Sequence, residues 1–422
     1  MDAKAIRSWI LYDCAITPFA TIILVIIMPL FFKQEAAYTL SPVESTAYWG
    51  DINWMAAALI VLFAPALGAI ADAIDCKKTF LKIFTYIGVV ACVFMFTIER
   101  GDWILAFILV VIASTAYSGA NIFYDAFLND ICKAEYRDKI SLQGYAWGYP
   151  TGGLFLILGL LLLNFHNSFG LSKISAAHII FVSVGVCWFS LSLPLFRHVN
   201  QKEPSKRYSA FLTKRQLAIA GWKKVFKTIR KLNKYPEVLK FLVSFWFYSD
   251  GISTITVMAA SYAAELGINE QHIILSVLII QFLALPFTLL FGKIASSKSS
   301  KLCLICSLFI YLLIVFLGFF MKTALDFYIL AFLISLVLGS SQAISRSIFS
   351  RIIPKKQTTE FFSLFGLTSK FGAILGPFIL ARIGLLTGET RYGIAALAIF
   401  FIIGIIILFK VNEEKAYLES KQ

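Results

Sequence analysis

The amino-acid sequence predicts an all-α polytopic membrane protein, built as two six-helix bundles either side of a basic connector. Three observations carry this expectation. Of the 422 residues, 59% are hydrophobic and 15% are charged, against roughly 45–50% and 25% in soluble domains. Apolar runs long enough to cross about 30 Å of hydrocarbon recur along the chain. One long segment, 197–240, breaks the pattern with thirteen Lys and Arg against two acids, Glu203 and Glu237.

Twelve spans follow from the pattern. The first, 8–32, is too long for the central segment of a cleaved signal peptide and is expected to be retained. The next five cover 50–73, 80–98, 103–131, 139–163 and 175–196, and complete an N-terminal bundle over 1–196. A basic connector, 197–237, leads to a C-terminal bundle and short tail over 238–422. Its spans are 238–263, 271–295, 302–321, 325–353, 360–387 and 391–410. Unsatisfied backbone groups are costly in lipid, so each run is expected to be helical despite its Gly and Pro residues.

The basic residues set the expected orientation. Thirty Lys and Arg fall at the termini and on the even-to-odd connections, against six on the other side: Lys33, Arg100, Lys173, Lys322, Arg382 and Arg391. By the positive-inside rule both termini and the connector face the cytoplasm, in a plasma or inner membrane. The same rule accounts for the formal charge of +14 without nucleic acid, and the connector carries no nucleic-acid recognition signature. Within it, Trp222, Val225, Phe226, Ile229 and Leu232 recur at helical spacing, with Lys223, Lys224, Lys227, Arg230 and Lys231 between them. That pattern suits a helix on the inner leaflet, where each basic residue gains about 1 kcal/mol from anionic lipid. The expected partners are membrane lipid and a small-molecule solute, with the chain acting as a monomer.

The two halves echo each other. Gly68, Asp72, Asp75, Lys77 and Lys78 after the second span are matched by Gly292, Ser296, Lys298 and Lys301 after the eighth, at an offset of 224. In the fourth and tenth spans Asp125 aligns with Arg346, and Ser141–Gly144 aligns with Ser363–Gly366, at offsets of 221–222. A six-span repeat of this kind is the layout of a rocking transporter.

These residues resemble the major facilitator superfamily. The Gly68–Lys78 stretch is similar to its signature between the second and third spans, although Asp75 and Cys76 stand where that pattern has Gly and Arg. The resemblance implies a conformational latch formed by Gly68, Asp72, Asp75, Lys77, Lys78, Gly292 and Lys301. A narrower resemblance is to the branch of fungal vacuolar amino-acid effluxers and their bacterial relatives. It rests on Ser8-Trp9-Ile-Leu-Tyr12-Asp13, Tyr248-Ser-Asp250-Gly251 and Gln281 to Pro286. Gln342-Ala-Ile-Ser345-Arg346, Glu360-Phe361-Phe362 and Ser369-Lys370-Phe371 on to Gly376-Pro377 complete it. Asp125 stands where that branch has a neutral residue.

Ionisable residues inside spans are rare and face an interior or a cavity, so each is a candidate site residue. Here they are Asp13, Asp125, Asp250, Arg346 and Lys370, with Glu360 and Asp130 nearer the cytoplasmic ends of their spans. In the superfamily fold, spans one, four, seven and ten line the cavity, and four of the five charges fall on them. Arg346 is expected to hold a substrate anion, since its planar fork of donors suits a carboxylate or phosphate. Lys370, Asp13, Asp125, Tyr12, Tyr124, Tyr248, Gln281 and Gln342 are the other substrate-binding candidates. Structural alternatives stand beside these roles: Asp13 with Arg7, Asp125 with Arg346, and Lys370 with Asp250 as ion pairs. Asp250, among Phe247, Tyr248, Ile252 and Thr254, is the candidate for coupling to protons, together with Glu360.

No cofactor is expected beyond that proton. No phosphate loop, nucleophile elbow or metal-ligand spacing occurs in the sequence, so an enzyme is not expected. The expected function is secondary transport, by alternating access, of a small solute bearing an anionic group. By resemblance that solute is an amino acid; a phosphorylated metabolite or nucleotide fits the cations as well. A non-transporting receptor on the same fold is the alternative from another class.

Overall fold

The computed structural model describes residues 3–73, 76–132, 137–199, 219, 222–223, 226–227, 229–297, 299–354 and 358–419. Within these, the side chains at 72–73, 129–130, 137–139, 141–142, 145–146, 285, 289, 292–293, 295–297, 358–360, 363 and 417–419 are not described. Among the described residues, twelve helices are long and apolar enough to cross a membrane. Large apolar side chains are exposed along them, among them Leu62, Phe94, Phe316 and Phe409, each more than half accessible. Such a surface is matched by lipid and not by water.

The chain divides into two compact units. The first contains residues 1–41 and 55–223, the second 42–54 and 224–422. The second span, Pro42–Ala73, is therefore shared between them. It starts eight residues earlier than the apolar pattern indicates, because Glu44, Ser45 and Thr46 occupy its first turns. There Ser45 and Thr46 hydroxyls donate to the Pro42 carbonyl.

Within the first unit, the first span packs on the fifth and sixth, and the third packs on the fourth and sixth. In the second unit the seventh packs on the eleventh and twelfth, and the ninth on the tenth and twelfth. The same pairings six spans apart are the packing counterpart of the sequence repeat.

Two spans depart from a plain α-helix. The first begins as Ala3–Pro18 and widens to π-helical turns over Phe19–Val25. Pro18 lacks an amide hydrogen, and wide turns of this kind absorb such a lost ladder bond. The eleventh is interrupted: Thr358–Phe371 ends in three turn residues, and a new helix runs Leu375–Thr387. The single run expected over 360–387 is thus two helices, with Gly372 and Pro377 bracketing the break.

In the connector, residues 222–223, 226–227 and 229–231 have helical backbone, and Phe226 and Ile229 are exposed beside Lys227 and Arg230. Lys224 and Val225 lie outside the described residues.

Candidate functional site

The first unit gathers one set of candidates around the first span. Asp13 is half-buried, and the exposed Asp125 of the fourth span lies within electrostatic reach of it. The fifth span comes close at glycines: a Cβ on Gly144 would stand 2.8 Å from Asp13 Oδ2, and one on Gly148 would stand 2.8 Å from Thr17 Oγ1. Both distances are below ordinary contact, so the spacing Gly144–Gly148 seats this helix against the Asp13 face.

The residues next to the two carboxylates in sequence form an aromatic stack. Trp9 stacks on Tyr124 with centroids 4.5 Å apart, and Tyr124 on Tyr12 at 4.9 Å. The Trp9 indole N–H donates to the Tyr124 carbonyl at 3.1 Å, and the Tyr124 hydroxyl donates to the Trp9 carbonyl at 3.2 Å. The Tyr12 hydroxyl bonds the Thr85 hydroxyl at 2.8 Å. Tyr12 and Tyr124 are buried with their hydroxyls bonded to Thr85 and to the Trp9 carbonyl, so in this conformation those hydroxyls are engaged within the unit.

The second unit gathers the other set. The tenth span, Ala324–Ile352, buries Ser340, Ser341, Ile344, Ser345, Ile348 and Phe349 on one side and exposes Gln342, Ala343, Arg346, Ser347 and Ser350 on the other. A polar exposed stripe two turns long in an otherwise apolar span is the mark of a surface facing water or a solute rather than lipid. Arg346 lies six residues before the helix end at Ile352, about 9 Å along the axis. Tyr248 is fully buried, and its hydroxyl bonds the Ser345 hydroxyl at 2.6 Å. It therefore fixes the seventh span to the tenth next to Arg346. Gln281 on the eighth span is half-buried.

Asp250 is fully buried in the seventh span. Its Oδ1 accepts the Gly376 amide at 2.9 Å and its Oδ2 the Leu375 amide at 3.2 Å. These are the first amides of the second helix of the eleventh span, which have no partners within their own helix. A carboxylate there also meets the positive end of the helix dipole. Gly376 is required by the approach, since a Cβ would stand 2.7 Å from Asp250 Oδ1 and would overlap Thr254 Oγ1. Lys370, half-buried, is one residue before the end of the preceding helix. The Glu360 side chain is outside those described.

The candidate latch is only partly in view. Gly68 is open, with nothing within 4 Å of an added Cβ, and Lys77 and Lys78 begin the third span half-buried. The Asp72 and Gly292 side chains and all of Asp75 lie outside the described residues. Lys301 instead finds the end of the twelfth span: its Nζ donates to the Phe409 carbonyl at 3.0 Å and the Val411 carbonyl at 2.7 Å. Close by in sequence, Asn412 donates its amide to the buried Glu237 at 2.9 Å, and Lys240 bonds the same carboxylate at 2.8 Å.

One constellation was not singled out from the sequence. Arg382 of the eleventh span forms a two-oxygen ion pair with Asp51 at the start of the second. In the sequence Asp51 stands at the edge of its apolar run, and Arg382 reads only as a basic residue of the outer side. Their separation of 331 residues left no local signal.

Comparison with known proteins covers the whole chain. A family model described as "Vacuole effluxer Atg22 like" matches residues 1–136 and 129–421. An uncharacterised MFS-type transporter of Bacillus subtilis (strain 168), YxiO, is 32% identical over 422 residues, covering 99% of this chain and 97% of that protein. Autophagy-related protein 22 of Eremothecium gossypii is 23% identical over 428 residues, covering 94% and 82%. Among solved structures, a bacterial homologue of the human lysosomal transporter Spinster, inward-facing and unoccupied, matches with a TM-score of 0.67. It is 16% identical and is covered over 99% of its length by all of this chain. A D-xylose–proton symporter also gives 0.67, at 13% identity and 98% coverage of each chain. At these identities the structural matches speak for the fold alone.

Proposed function

We propose, from the premise that this chain belongs to the Atg22-like vacuole effluxer family and is a multi-pass membrane transporter of the major facilitator type, that it moves a small carboxylate-bearing solute by alternating access. An amino acid is the first solute class to test. The observation that carries this reading is the exposed polar stripe of the tenth span, with Arg346 at its centre and Gln342 one turn before it. A guanidinium offers two parallel donors to one carboxylate, and Gln342 adds a neutral donor on the same face. Lys370 supplies a second cation in the same unit. Asp13 and Asp125, in the first unit, stay candidates for substrate binding in this reading.

Asp250 is the proposed group for proton coupling. Its carboxylate holds the first amides of the helix Leu375–Thr387, so adding a proton weakens the grip of the seventh span on the eleventh. Glu360 is the second candidate. On the expected orientation the termini and connector face the cytoplasm, the connector rests on anionic lipid, and the chain works as a monomer.

The test is uptake by purified protein in liposomes under a pH gradient, with labelled amino acids, organic acids and nucleotides offered separately. Saturable uptake of one class, lost in Arg346→Ala, supports the reading. A phosphorylated solute as the preferred class keeps Arg346 in place but changes the substrate. Uptake unaffected by Arg346→Ala removes the anion site from the tenth span.

A further inference from the structure

Within the first unit, the third and sixth spans bring cations together at the end that holds the chain's N-terminus. The third, Lys77–Phe94, opens there and the sixth, Lys173–His198, finishes there. The Ser8 hydroxyl and His198 Nδ1, 3.1 Å apart, tie the sixth to the start of the first. On the third span Lys78, Lys82, Tyr86 and Val90 recur every four residues and so share one face. Lys78 lies within electrostatic reach of Lys82. The Lys82 ammonium leans over the Phe196 ring of the sixth span at 5.7 Å. Tyr86 meets that ring edge-on at 5.9 Å and the Phe189 ring at 6.2 Å. Arg197, the next residue, is exposed.

The shared face has a charged end and an apolar run below it. Tyr86, Val90 and Phe189 are all exposed along the apolar part. At the charged end, Lys78 and Lys82 are four residues apart on one helix, where like charges repel. Lys78 also stands in the first turn of that helix, where the dipole is positive. Among the described residues, none of Lys78, Lys82 and Arg197 has an acidic partner. An anion from outside the chain relieves this repulsion. Lys82 is half-buried and four residues deeper than Lys78, about 6 Å along the axis. Its stem therefore lies on aromatic surface with the ammonium held at the top of the apolar run.

We infer that this face holds one anionic phospholipid, with its phosphate against Lys78, Lys82 and Arg197 and its acyl chains along Tyr86, Val90 and Phe189. Basic pockets between membrane helices suit such headgroups. A free phosphate would meet the same cations, but the exposed apolar run directly below them fits a ligand that carries its own hydrocarbon. Such a lipid is held whatever solute the protein carries.

The test uses the full chain in a non-ionic detergent, with native mass spectrometry reading the first lipid bound. Dioleoyl phosphatidylglycerol and dioleoyl phosphatidylcholine are titrated separately, since they share phosphate and acyl chains but differ in net charge. The wild type is expected to take the phosphatidylglycerol roughly tenfold more tightly or better. Lys82→Gln with Arg197→Gln should weaken that binding roughly 30-fold, the worth of two cations near an anionic headgroup, and leave phosphatidylcholine unchanged. Lys82→Arg with Arg197→Lys keeps both charges and should restore it. Lys410→Gln, which removes an exposed cation at the end of the twelfth span, should change nothing. Melting is followed for each variant; if the double variant unfolds, Lys82→Gln alone is read, with a loss of about fivefold expected. Equal affinity for the two lipids, or an equal loss in Lys410→Gln, overturns the site. So does displacement of the lipid by inorganic phosphate but not by chloride of the same ionic strength, which would make it a site for a free anion.

Discussion

Asp250 and Gly376 are joined across two spans by a hydrogen bond of 2.9 Å, from the glycine amide to the buried carboxylate. With the Leu375 amide at 3.2 Å, the seventh span supplies the cap that the interrupted eleventh span lacks. Hydrogen bonds to a charged group are worth roughly 1.5–3 kcal/mol. Asp250→Ala is therefore expected to lower thermal stability by about 2–4 kcal/mol. Asp250→Asn keeps an acceptor but cannot exchange a proton. It should fold, lose uptake driven by a pH gradient, and retain solute exchange without one. Equal loss of both activities in Asp250→Asn would assign the residue to capping alone.

Gly144 tests the seating of the fifth span. An added Cβ meets Asp13 Oδ2 at 2.8 Å and a Trp9 ring carbon at 3.1 Å. The Trp9 ring is not free to swing away, because it is held between its stack and its bond to the Tyr124 carbonyl. Overpacking of this kind costs about 1–3 kcal/mol. Gly144→Ala should lower the melting temperature and weaken solute binding together. Gly153→Ala, where nothing lies within 4 Å, should do neither.

Lys301 tests how the chain end is held. It places one ammonium on the Phe409 and Val411 carbonyls, at the negative end of the last span's dipole, worth roughly 0.3–1 kcal/mol and up to about 2 when partly buried. Lys301→Met is expected to increase protease cleavage after Lys410 and Lys415 severalfold, with melting lowered by no more than a few degrees. Cleavage unchanged from wild type would mean that Glu237 holds the tail without it.

The helices and the repeat were legible because both depend on composition. A run of about twenty apolar residues can satisfy its backbone in lipid only as a helix. The in-span charges were legible for the same reason: Asp13, Asp125, Asp250, Arg346 and Lys370 stand out against apolar neighbours. What those charges touch was not. The partners of Asp250 are backbone amides, which leave no side-chain signature in sequence. Gly372 and Gly376-Pro377 did carry a signal for the break between them, but the apolar run through it reads as continuous. Tyr12, Tyr124 and Tyr248 differ from exposed tyrosines only in tertiary contacts. Asp51 and Arg382 lie near span ends, where a charge reads as ordinary interface.

The connector's basic residues provide a prediction separable from transport. Replacing Lys223, Lys227, Arg230 and Lys231 with Gln removes four charges, each worth about 1 kcal/mol near an anionic surface. Retention of anionic lipid by the purified protein, read by native mass spectrometry, should fall. The order of preference among transported solutes should stay as in the wild type. A changed order would make the connector part of substrate recognition.

The most direct measurement of the central claim is solute uptake into liposomes by the wild type, Arg346→Ala and Arg346→Lys. Arg346 is exposed on its helix, so neither substitution should unfold the protein. Loss of a two-donor charged contact is worth about 2–3 kcal/mol, or roughly 30- to 150-fold in affinity. Uptake of a carboxylate-bearing solute should fall by that order in Arg346→Ala, with partial recovery in Arg346→Lys. Wild-type affinity in Arg346→Ala for every solute transported would contradict the account.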